Sequence, residues 1–475
     1  MTPTATPAAD NARLTAFVNF PSPYTQALLE RALVAVLPAL EMSSDIPKEP
    51  PKLQWADYDV LSLDVPRHNP GYLISSYIYR KALIRKHQLH TTVNEYLAKC
   101  RHRGIKSALE SGMPKGWVLD IQFADELDEL LMDDLYELEE VMRGNEGRAE
   151  GEREWFILKP GFAERGQGIR MFSTEDELRA IFEEFEPPSE DEDEDDDDDG
   201  ERNDDDADDD AGVGGTAVLT SHMRHFVIQE YVPRPVLFDL HEGDGAQLGQ
   251  KFHLRAYVLV TGAYTVHLAH TILALFSDAP YTPPRIVEGQ VDLRPHLTNT
   301  CLQTDAYGQA VEQDDLVRLF WDLEGRTALA RDNGYNVMGT VDKEWLDKTF
   351  TKVGQVVAEA VKAGAECGSF NLQLMENAFE IFGVDLLLSH PADATSLVVP
   401  DVTLLEFNAS PDFVQTGDVL RPKLLDMFKG VVRISIAPFF GIDTVGEEKE
   451  EEMELGEDRW GWRLVGKGQV RASWA

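Results

Sequence analysis

Two apolar segments in the last quarter of the chain carry polar residues at regular places. Glu380–Leu388 and Val402–Phe407 are bounded by turn-forming residues, a pattern that predicts two buried strands. Asp385 interrupts the first segment, Glu406 lies near the end of the second, and Asn408 follows it. Because strand residues two apart share a face, Glu406 and Asn408 project together, and Asp385 joins them if the strands pair as a hairpin.

These three polar groups suggest a cation site. Carboxylate and amide oxygens are the ligands that Mg²⁺ takes when it also holds substrate phosphates. Without a cation, two carboxylates in apolar surroundings would repel each other and would be costly to bury. The alternative is that Asp385 lies in a turn and Glu406 is an ordinary charge at a strand end.

The remaining pattern alternates between strands and helices, which predicts an α+β (α/β) fold. Strands are expected at Leu14–Phe20, Lys52–Leu63 with a turn, Gly116–Leu119, Trp155–Leu158, Gly168–Phe172, Phe226–Val232, Lys251–Val260 and Tyr264–Phe276. Helices are expected at Thr25–Leu37, through most of Gly71–Lys106, at Ala124–Met142 and at Lys352–Gly364.

Two of these segments carry basic groups where an anion would fit. Lys251, His253 and Arg255 alternate along one strand and so share one face, which needs an anion or carboxylates to balance them. Lys159 ends the strand before a glycine-rich turn that contains Arg165, and backbone N–H groups in such turns can hold phosphate. Simple turn chemistry is the alternative for the glycines.

Composition places the chain among globular proteins with several domains. It has 475 residues, 43% of them hydrophobic, and no apolar run of the roughly 20 residues that a membrane span needs. The first residues lack the basic start and apolar centre of a signal peptide. Three scattered cysteines form no metal or disulfide pattern, which favours a reducing cytosolic or nuclear compartment.

The net charge of −41 is unevenly distributed. Glu190–Asp210 holds 17 acidic residues against one arginine, a net of −16, and predicts a disordered acidic insert. Arg80–Lys106 is the opposite, with eight Lys or Arg and one Glu. That basic segment is either a solvated helix face or a site for an anionic ligand.

Six motifs in order carry a family resemblance. KP-x₅-GQGI, VIQEYV, KFHLRAYVLV, LTNTCLQ, FEIFGVDLLL and LLEFNASP resemble the tubulin–tyrosine ligase-like family of ATP-grasp enzymes, from about Arg80 to Phe440, in a branch that looks fungal. The resemblance implies two α+β lobes that clamp ATP and a smaller N-terminal α/β domain. The expected divisions are 1–105, a central subdomain at 106–185, the acidic insert at 186–215, a C-terminal subdomain at 216–440 and an acidic, Trp-containing tail at 441–475.

The resemblance also implies a role for each site residue. ATP phosphates would be held by Lys159, Arg165, Gly166, Gly168 and Lys81, and adenine by Gln229, Glu230, Tyr231 and Val232. Arg255 would act with Lys159 in catalysis by facing the γ-phosphate and the acyl group. Asp385, Glu406 and Asn408 would hold Mg²⁺, and Asn299 would shape the acceptor pocket.

The implied activity is ATP- and Mg²⁺-dependent joining of an amino acid to a protein carboxylate through an acyl phosphate. His253, His270 and Ala274 depart from the family pattern, which leaves open an ATP-binding pseudoenzyme that acts as an interaction module in mRNA-decay granules. Nucleic-acid binding through Arg80–Lys106 is disfavoured by the overall charge, and an acidic tubulin tail is an awkward acceptor for the same reason. A cytoplasmic monomer is expected.

Overall fold

A computed structural model describes residues 14–121, 123–161, 166–185, 225–240, 248–287, 289–298, 316–442, 444 and 452–468. Within these residues, strands form three larger sheets and one small hairpin, with helices packed around them. The mixed α+β architecture that the alternating pattern predicted is confirmed.

The N-terminal sheet is parallel. Its elements are β1 (Thr15–Asn19), α1 (Pro23–Val36), β2 (Glu41–Ser43), β3 (Leu53–Ala56), α2 (Asp64–His68) and β4 (Leu73–Ile74), with strand order β2-β1-β3-β4. At the start of α1, the Ser22 hydroxyl accepts a hydrogen bond from the Thr25 N–H, and Pro23 fits the first turn because it lacks an N–H.

Three helices made of the basic segment follow. They are α3 (Lys81–Ile84), α4 (Lys86–Arg103) and α5 (Leu109–Gly112). Leu89, Val93 and Leu97 repeat at helical spacing along α4 and are buried in the same core as Phe252 of the main sheet. The helix ends at Gly104, whose φ of 66° is the left-handed cap that glycine adopts readily. The apolar side of this basic helix is therefore part of the core.

The central subdomain is an antiparallel sheet of order β5-β8-β6-β7. Its elements are β5 (Gly116–Asp120), α6 (Leu127–Met132), α7 (Tyr136–Glu146), β6 (Phe156–Pro160), β7 (Arg170–Phe172), α8 (Glu175–Phe185) and β8 (His225–Glu230). The prediction of one acidic helix over Ala124–Met142 is wrong. The chain breaks at Asp133, since Asp is a poor helix former and the break lets both Leu131 and Leu135 be buried.

The main sheet is built on its longest strands. The remaining elements are β9 (Leu237–Phe238), β10 (Gln250–Thr261), β11 (Thr265–Pro280), β12 (Ile286–Val287), β13 (Gln290–Val291), β14 (Val317–Leu319), β15 (Thr327–Arg331), β16 (Tyr335–Thr340), α9 (Lys343–Cys367), β17 (Phe379–Ser389), β18 (Asp401–Asn408), α10 (Arg421–Val431), α11 (Ala437–Phe439), β19 (Asp458–Arg459) and β20 (Trp462–Lys467). β10 lies in the middle, paired with β11 on one side and with β9 and β17 on the other.

Alternation along β10 separates two cores. Leu254, Ala256 and Val258 face the core that α9 and α4 cover. Tyr257 and Leu259 face the opposite core, which α10, α1 and the N-terminal sheet complete. Among the helices described, none is both long and apolar enough to cross a membrane.

The segment after residue 440 differs from the predicted tail. Asp458–Arg459 and Trp462–Lys467 pair as a hairpin, and β20 adds to the edge of β11. Trp462 is fully buried, and its indole N–H donates to the Met427 carbonyl at 3.0 Å. The prediction missed this because the acidic cluster before the hairpin masks its short apolar alternation at Trp462, Leu464 and Gly466.

Candidate active site

A cavity that encloses about 890 Å³ of space, part of it open to solvent, lies between the central sheet and the main sheet. β6 and the turn after it form one wall, and the β17–β18 hairpin and the start of β10 form the other. Lys86, at the start of α4, also lines the cavity.

One part of the cavity is apolar. Ile157 and Ile169 contribute from the central subdomain, and Leu387 and Leu405 contribute from the main sheet. The segment 229–232 at the end of β8 lines the same cavity and carries the residues expected to contact adenine. Apolar walls of this kind suit a flat aromatic ring.

The β17–β18 hairpin brings the predicted carboxylates together. The two strands pair antiparallel, with Asp385 opposite Glu406 and Gly383 opposite Asn408. A register shift follows directly after Asp385. Both carboxylates line the cavity, while Asn408 reaches Asp385 with its Nδ2 at 3.3 Å from Oδ2.

Asp385 is buried but stays ionised because the Arg255 guanidinium is bound to it. Arg255 Nε and Nη2 lie 2.5 Å and 3.0 Å from its two carboxylate oxygens, and His253 Nε2 lies 3.7 Å from Oδ1. Burial alone would raise the pKa of Asp385, but the charges of Arg255 and His253 outweigh it and hold that pKa below its ordinary value. The face that carries Lys251, His253 and Arg255 is therefore balanced in part by this carboxylate.

Two lysines in the cavity lack this kind of partner. Lys159 Nζ donates to Gln229 Oε1 at 2.8 Å, and Lys251 Nζ donates to the Tyr231 hydroxyl and the His296 carbonyl, both at 3.0 Å. Neither forms an ion pair with a carboxylate in the described part of the chain. Burial lowers the pKa of Lys159 to about 8, and burial together with Lys159 lowers the pKa of Lys251 to about 7. An anionic ligand would supply the negative charge that balances both ammonium groups.

The carboxylates fit a divalent cation only as a shared site. The described residues contain no group of three or more His, Cys, Asp or Glu side chains that could hold a metal ion alone. Asp385 and Glu406 provide two carboxylates, and a half-turn of the Asn408 amide would present its oxygen to them. Mg²⁺ is bound in this way, through one or two carboxylates with substrate phosphates and waters completing its octahedron.

One residue that was expected to contact phosphate lies outside the cavity lining. Lys81 is exposed on α3 and does not line the cavity. Lys86 lies there instead, with its ammonium 3.2 Å from Glu406 Oε2. Sequence reasoning missed Lys86, which begins the 18-residue helix α4, because its position depends on how that helix packs against the main sheet.

The other predicted residues divide into three groups. Arg165 and Asn299 lie outside the described residues. Gly166, with a φ of 80°, lines the cavity. Gly168 does not, but its φ is 69° and a Cβ there would meet Pro160 at 2.9 Å, so it serves the turn. Thr298, which accepts or donates a hydrogen bond at His253, lines the cavity and was not predicted.

Two of the three departures from the family pattern lie away from the cavity. His270 stacks on Phe350 and Trp321 and lies 2.8 Å from Asp458 of the C-terminal hairpin. Ala274 is fully buried on the α9 side of the sheet. The strand register places Leu273 and Leu275 opposite Arg255 and His253. His253 is thus the one of these three departures that lines the cavity.

Comparison with known proteins identifies the family. The model of the tubulin-tyrosine ligase family matches residues 76–443. A probable tubulin–tyrosine ligase of Schizosaccharomyces pombe is 34% identical over 392 residues, 82% of this chain and 84% of that protein. The probable tubulin–tyrosine ligase PBY1 of Saccharomyces cerevisiae is 33% identical over 433 residues, which are 88% of this chain and 51% of that protein.

A solved structure agrees with the sequence relatives. The crystal structure of the C-terminal domain of Kluyveromyces lactis Pby1, described as an ATP-grasp enzyme interacting with the mRNA decapping enzyme Dcp2, has a TM-score of 0.62 and 27% identity. The likeness covers 96% of this chain and 99% of that domain. The fold is therefore the ATP-grasp fold, and the chain belongs to the fungal branch of the tubulin–tyrosine ligase family.

Proposed function

We propose that this protein binds ATP with a divalent cation in the cavity and uses it to join an amino acid to a protein carboxylate. The observation that carries the proposal is the lining of the cavity, which combines apolar side chains, the ammonium groups of Lys159 and Lys251, and the carboxylates of Asp385 and Glu406. These are the groups that a base, phosphates and a phosphate-bound cation would contact.

Each side chain has a role in this proposal. Lys159 and Lys251 hold phosphate oxygens, and the residues 229–232 read the base edge. Arg255, fixed by its two hydrogen bonds to Asp385, faces the γ-phosphate end. A cation held by Asp385, Glu406 and Asn408 would neutralise phosphate charge.

The proposed chemistry is carboxylate activation. A carboxylate oxygen of the acceptor attacks the γ-phosphorus of ATP, ADP leaves, and the amine of the amino acid then displaces phosphate from the acyl phosphate. Positioning and charge neutralisation by fixed cations lower the barriers of both steps. The acceptor remains open, since an acidic tubulin tail would be repelled by a chain of net charge −41.

The direct test is ADP release by the purified protein. The assay is repeated with each amino acid, with and without tubulin, and with acidic and neutral acceptor peptides. Release that requires both an amino acid and an acceptor supports the ligase. If the protein binds ATP but no combination of amino acid and acceptor stimulates ADP release, the protein is a nucleotide-binding protein and the ligase proposal is contradicted.

A second function is favoured by one observation. The K. lactis domain to which this chain is similar over nearly its whole length is described as interacting with the decapping enzyme Dcp2. We propose as the alternative that this chain is a nucleotide-binding interaction module in cytoplasmic mRNA-decay granules. If the Glu406→Gln variant still copurifies with a decapping enzyme, binding of that partner does not need the nucleotide.

A further inference from the structure

A second cavity lies beside the candidate active site, and the proposed function gives it no occupant. It encloses about 810 Å³ of space, part of it open to solvent. Its lining comes from the residues that follow β1 and end β3, from the start of β17, from the segment 409–413 after β18, and from Phe428 of α10. We call it the N-terminal cavity, since the N-terminal sheet forms one of its walls.

The N-terminal cavity begins next to the residues that bind Asp385. Asp385, Gly383 and Ile381 alternate along β17 and so share one face of the strand. Asp385 lines the cavity of the candidate active site, and Ile381 lines the N-terminal cavity. Gly383 lies between them, where a Cβ would meet Pro411 of the N-terminal cavity at 3.1 Å and Arg255 at 3.2 Å. Gly383 is about 7 Å along the strand from Asp385, so a small molecule can reach from one cavity to the other.

Aromatic rings and carboxylates characterise the lining of the N-terminal cavity. Its aromatic residues are Phe20, Trp55, Tyr58, Phe379, Phe413 and Phe428. Its charged residues, among those that the structure describes, are Asp57, Glu380 and Asp412 against Arg80. Arg80 Nε lies 3.2 Å from Glu380 Oε1, so no cation of this lining remains to balance Asp57 and Asp412. Ring faces and carboxylates both attract an ammonium or guanidinium group.

The two unbalanced carboxylates are held in place by the backbone. Asp57 Oδ1 accepts a hydrogen bond from the Asp59 N–H at 3.2 Å, and Asp412 Oδ1 accepts one from the Val414 N–H at 3.0 Å. A carboxylate can accept about four contacts, so each keeps the capacity to bind a cationic group. The aromatic wall already holds one cation, since the Arg80 guanidinium lies 3.9 Å from the centre of the Tyr58 ring.

We infer that the N-terminal cavity holds the side chain of the amine substrate, and that this substrate is an amino acid with a cationic side chain, lysine or arginine. The inference rests on the proposed function and names the class of its amine substrate. An extended lysine spans about 7 Å between its two nitrogens, which matches the distance along β17 between Gly383 and Asp385. The α-amine would form the new C–N bond beside Asp385 as phosphate leaves with the bonding electrons and the amine loses a proton. A chain of net charge −41 also attracts cationic solutes.

The experiment measures binding of amino acids to the whole chain with Mg²⁺ and a non-hydrolysable ATP analogue, and it does not need turnover. Calorimetry compares lysine and arginine with norleucine, which has an unbranched side chain without a charge. Lysine and arginine should bind roughly tenfold or more tightly than norleucine, because only they make a charge-assisted contact with the carboxylates.

Asp57→Asn and Asp412→Asn remove the two charges and keep a side-chain oxygen that can accept from the same backbone N–H. Each should weaken lysine binding roughly tenfold or more and leave norleucine binding unchanged, a difference that misfolding would not produce. Asp59→Asn is the matched control, since Asp59 is exposed in the same turn as Asp57 and lies outside the cavity lining. It should keep the lysine affinity of the wild-type protein.

Three results would overturn this inference alone: norleucine that binds as tightly as lysine, lysine affinity that neither Asp57→Asn nor Asp412→Asn changes, or no binding of lysine and arginine to the nucleotide complex. If glutamate or tyrosine instead stimulates ADP release with an acceptor, this inference is wrong and the proposed function stands. Failure of the ATP analogue to bind contradicts the proposed function and, with it, this inference.

Discussion

At the scale of single residues, two cations at the site, Lys86 and Arg255, are already paired with carboxylates. Lys86 lies 3.2 Å from Glu406, and Arg255 holds Asp385. These pairs offset the cost of burying carboxylates without a cation. Binding of a nucleotide and its cation would therefore break the Lys86–Glu406 ion pair. Glu406 would then bind the cation, and Lys86 would bind a phosphate.

Glu406→Gln tests this exchange. The change removes ligand charge where the cation would join protein to phosphates, so the Mg²⁺-dependent part of ATP binding should be lost. Calorimetry with ATP, in the presence of Mg²⁺ and in EDTA, measures it. Glu344→Gln, at an exposed position on α9, is the matched control. Unchanged affinity in Glu406→Gln would disprove the metal assignment.

Lys159→Ala separates phosphate contacts from base contacts. A charge-assisted hydrogen bond contributes about 1.5–3 kcal/mol, so ATP affinity should fall roughly ten- to a hundredfold. Adenosine affinity should change little, because the lost contact is to phosphate. Calorimetric titration of the variant with both ligands provides the comparison, and an equal loss for both would indicate misfolding or a wrong role for Lys159.

Lys159 also predicts a pH dependence. Its pKa is lowered to about 8 by burial, and a phosphate beside it would raise that pKa again. The free protein therefore loses the proton as pH rises through about 8, the nucleotide complex keeps it, and ATP affinity falls above pH 8 with uptake of a proton. Titrations at pH 7 and pH 9 in two buffers of different ionisation enthalpy measure this uptake. Lys159→Arg should lose the part of the uptake that Lys159 contributes and keep the part from Lys251, whose pKa burial lowers to about 7. Uptake equal to that of the wild-type protein would assign the proton to another group.

At the scale of elements, the sequence predicted the strands whose hydrophobic pattern is regular. It did not predict the positions of side chains that depend on tertiary contacts. The β17–β18 hairpin, β10 and β11 follow from their alternation and apolar content. The position of Lys86 does not, because it depends on how α4 packs against the main sheet. The orientation of Ala274, which faces away from Arg255, likewise depends on the register between β10 and β11. That register shifts after Ala256, and composition does not reveal the shift.

The C-terminal hairpin is an element whose contribution can be measured. Trp462 is fully buried against α10, and Gly430 allows this contact, since a Cβ there would meet the indole at 2.6 Å. Trp462→Ala should lower the free energy of unfolding by about 3–5 kcal/mol. Urea denaturation measures it, and Trp460→Ala, which removes a half-exposed ring from the same hairpin, should cost less. Equal and small effects would mean that the hairpin is not part of the core.

At the scale of the whole molecule, the basic segment divides into separate sites. Arg80 pairs with buried Glu380 and Lys86 faces the cavity. Arg101, His102, Arg103 and Lys106 are exposed at the other end of α4. With 18 residues at about 1.5 Å each, that end lies about 27 Å along the helix from the cavity. An acidic partner that docks there would not compete directly with ATP.

The acidic run Glu190–Asp210, which lies outside the described residues, is expected to compete for that exposed basic end. Replacing it with a neutral Gly/Ser linker of equal length should strengthen binding of an acidic peptide at low salt, because a tethered competitor acts at an effective concentration of about mM. The gain should shrink at high salt, where exposed charges are screened. Fluorescence anisotropy at both salt concentrations measures it. Adding Arg101→Gln and Arg103→Gln should remove the gain; equal affinities at low salt would make the run a passive solubilising segment.

The pairing of β20 with β11 has a consequence for how the chain folds as it is made. The end of β11, at residue 280, precedes the end of β20, at residue 467, by 467 − 280 = 187 residues. At roughly 5–20 residues per second, the first half of β11 waits roughly 10–40 s for its outer neighbour. During that time it presents an unpaired edge that another nascent chain could add to. Changes to the hairpin should therefore increase the dependence of the nascent chain on chaperones, in addition to lowering the stability of the finished protein.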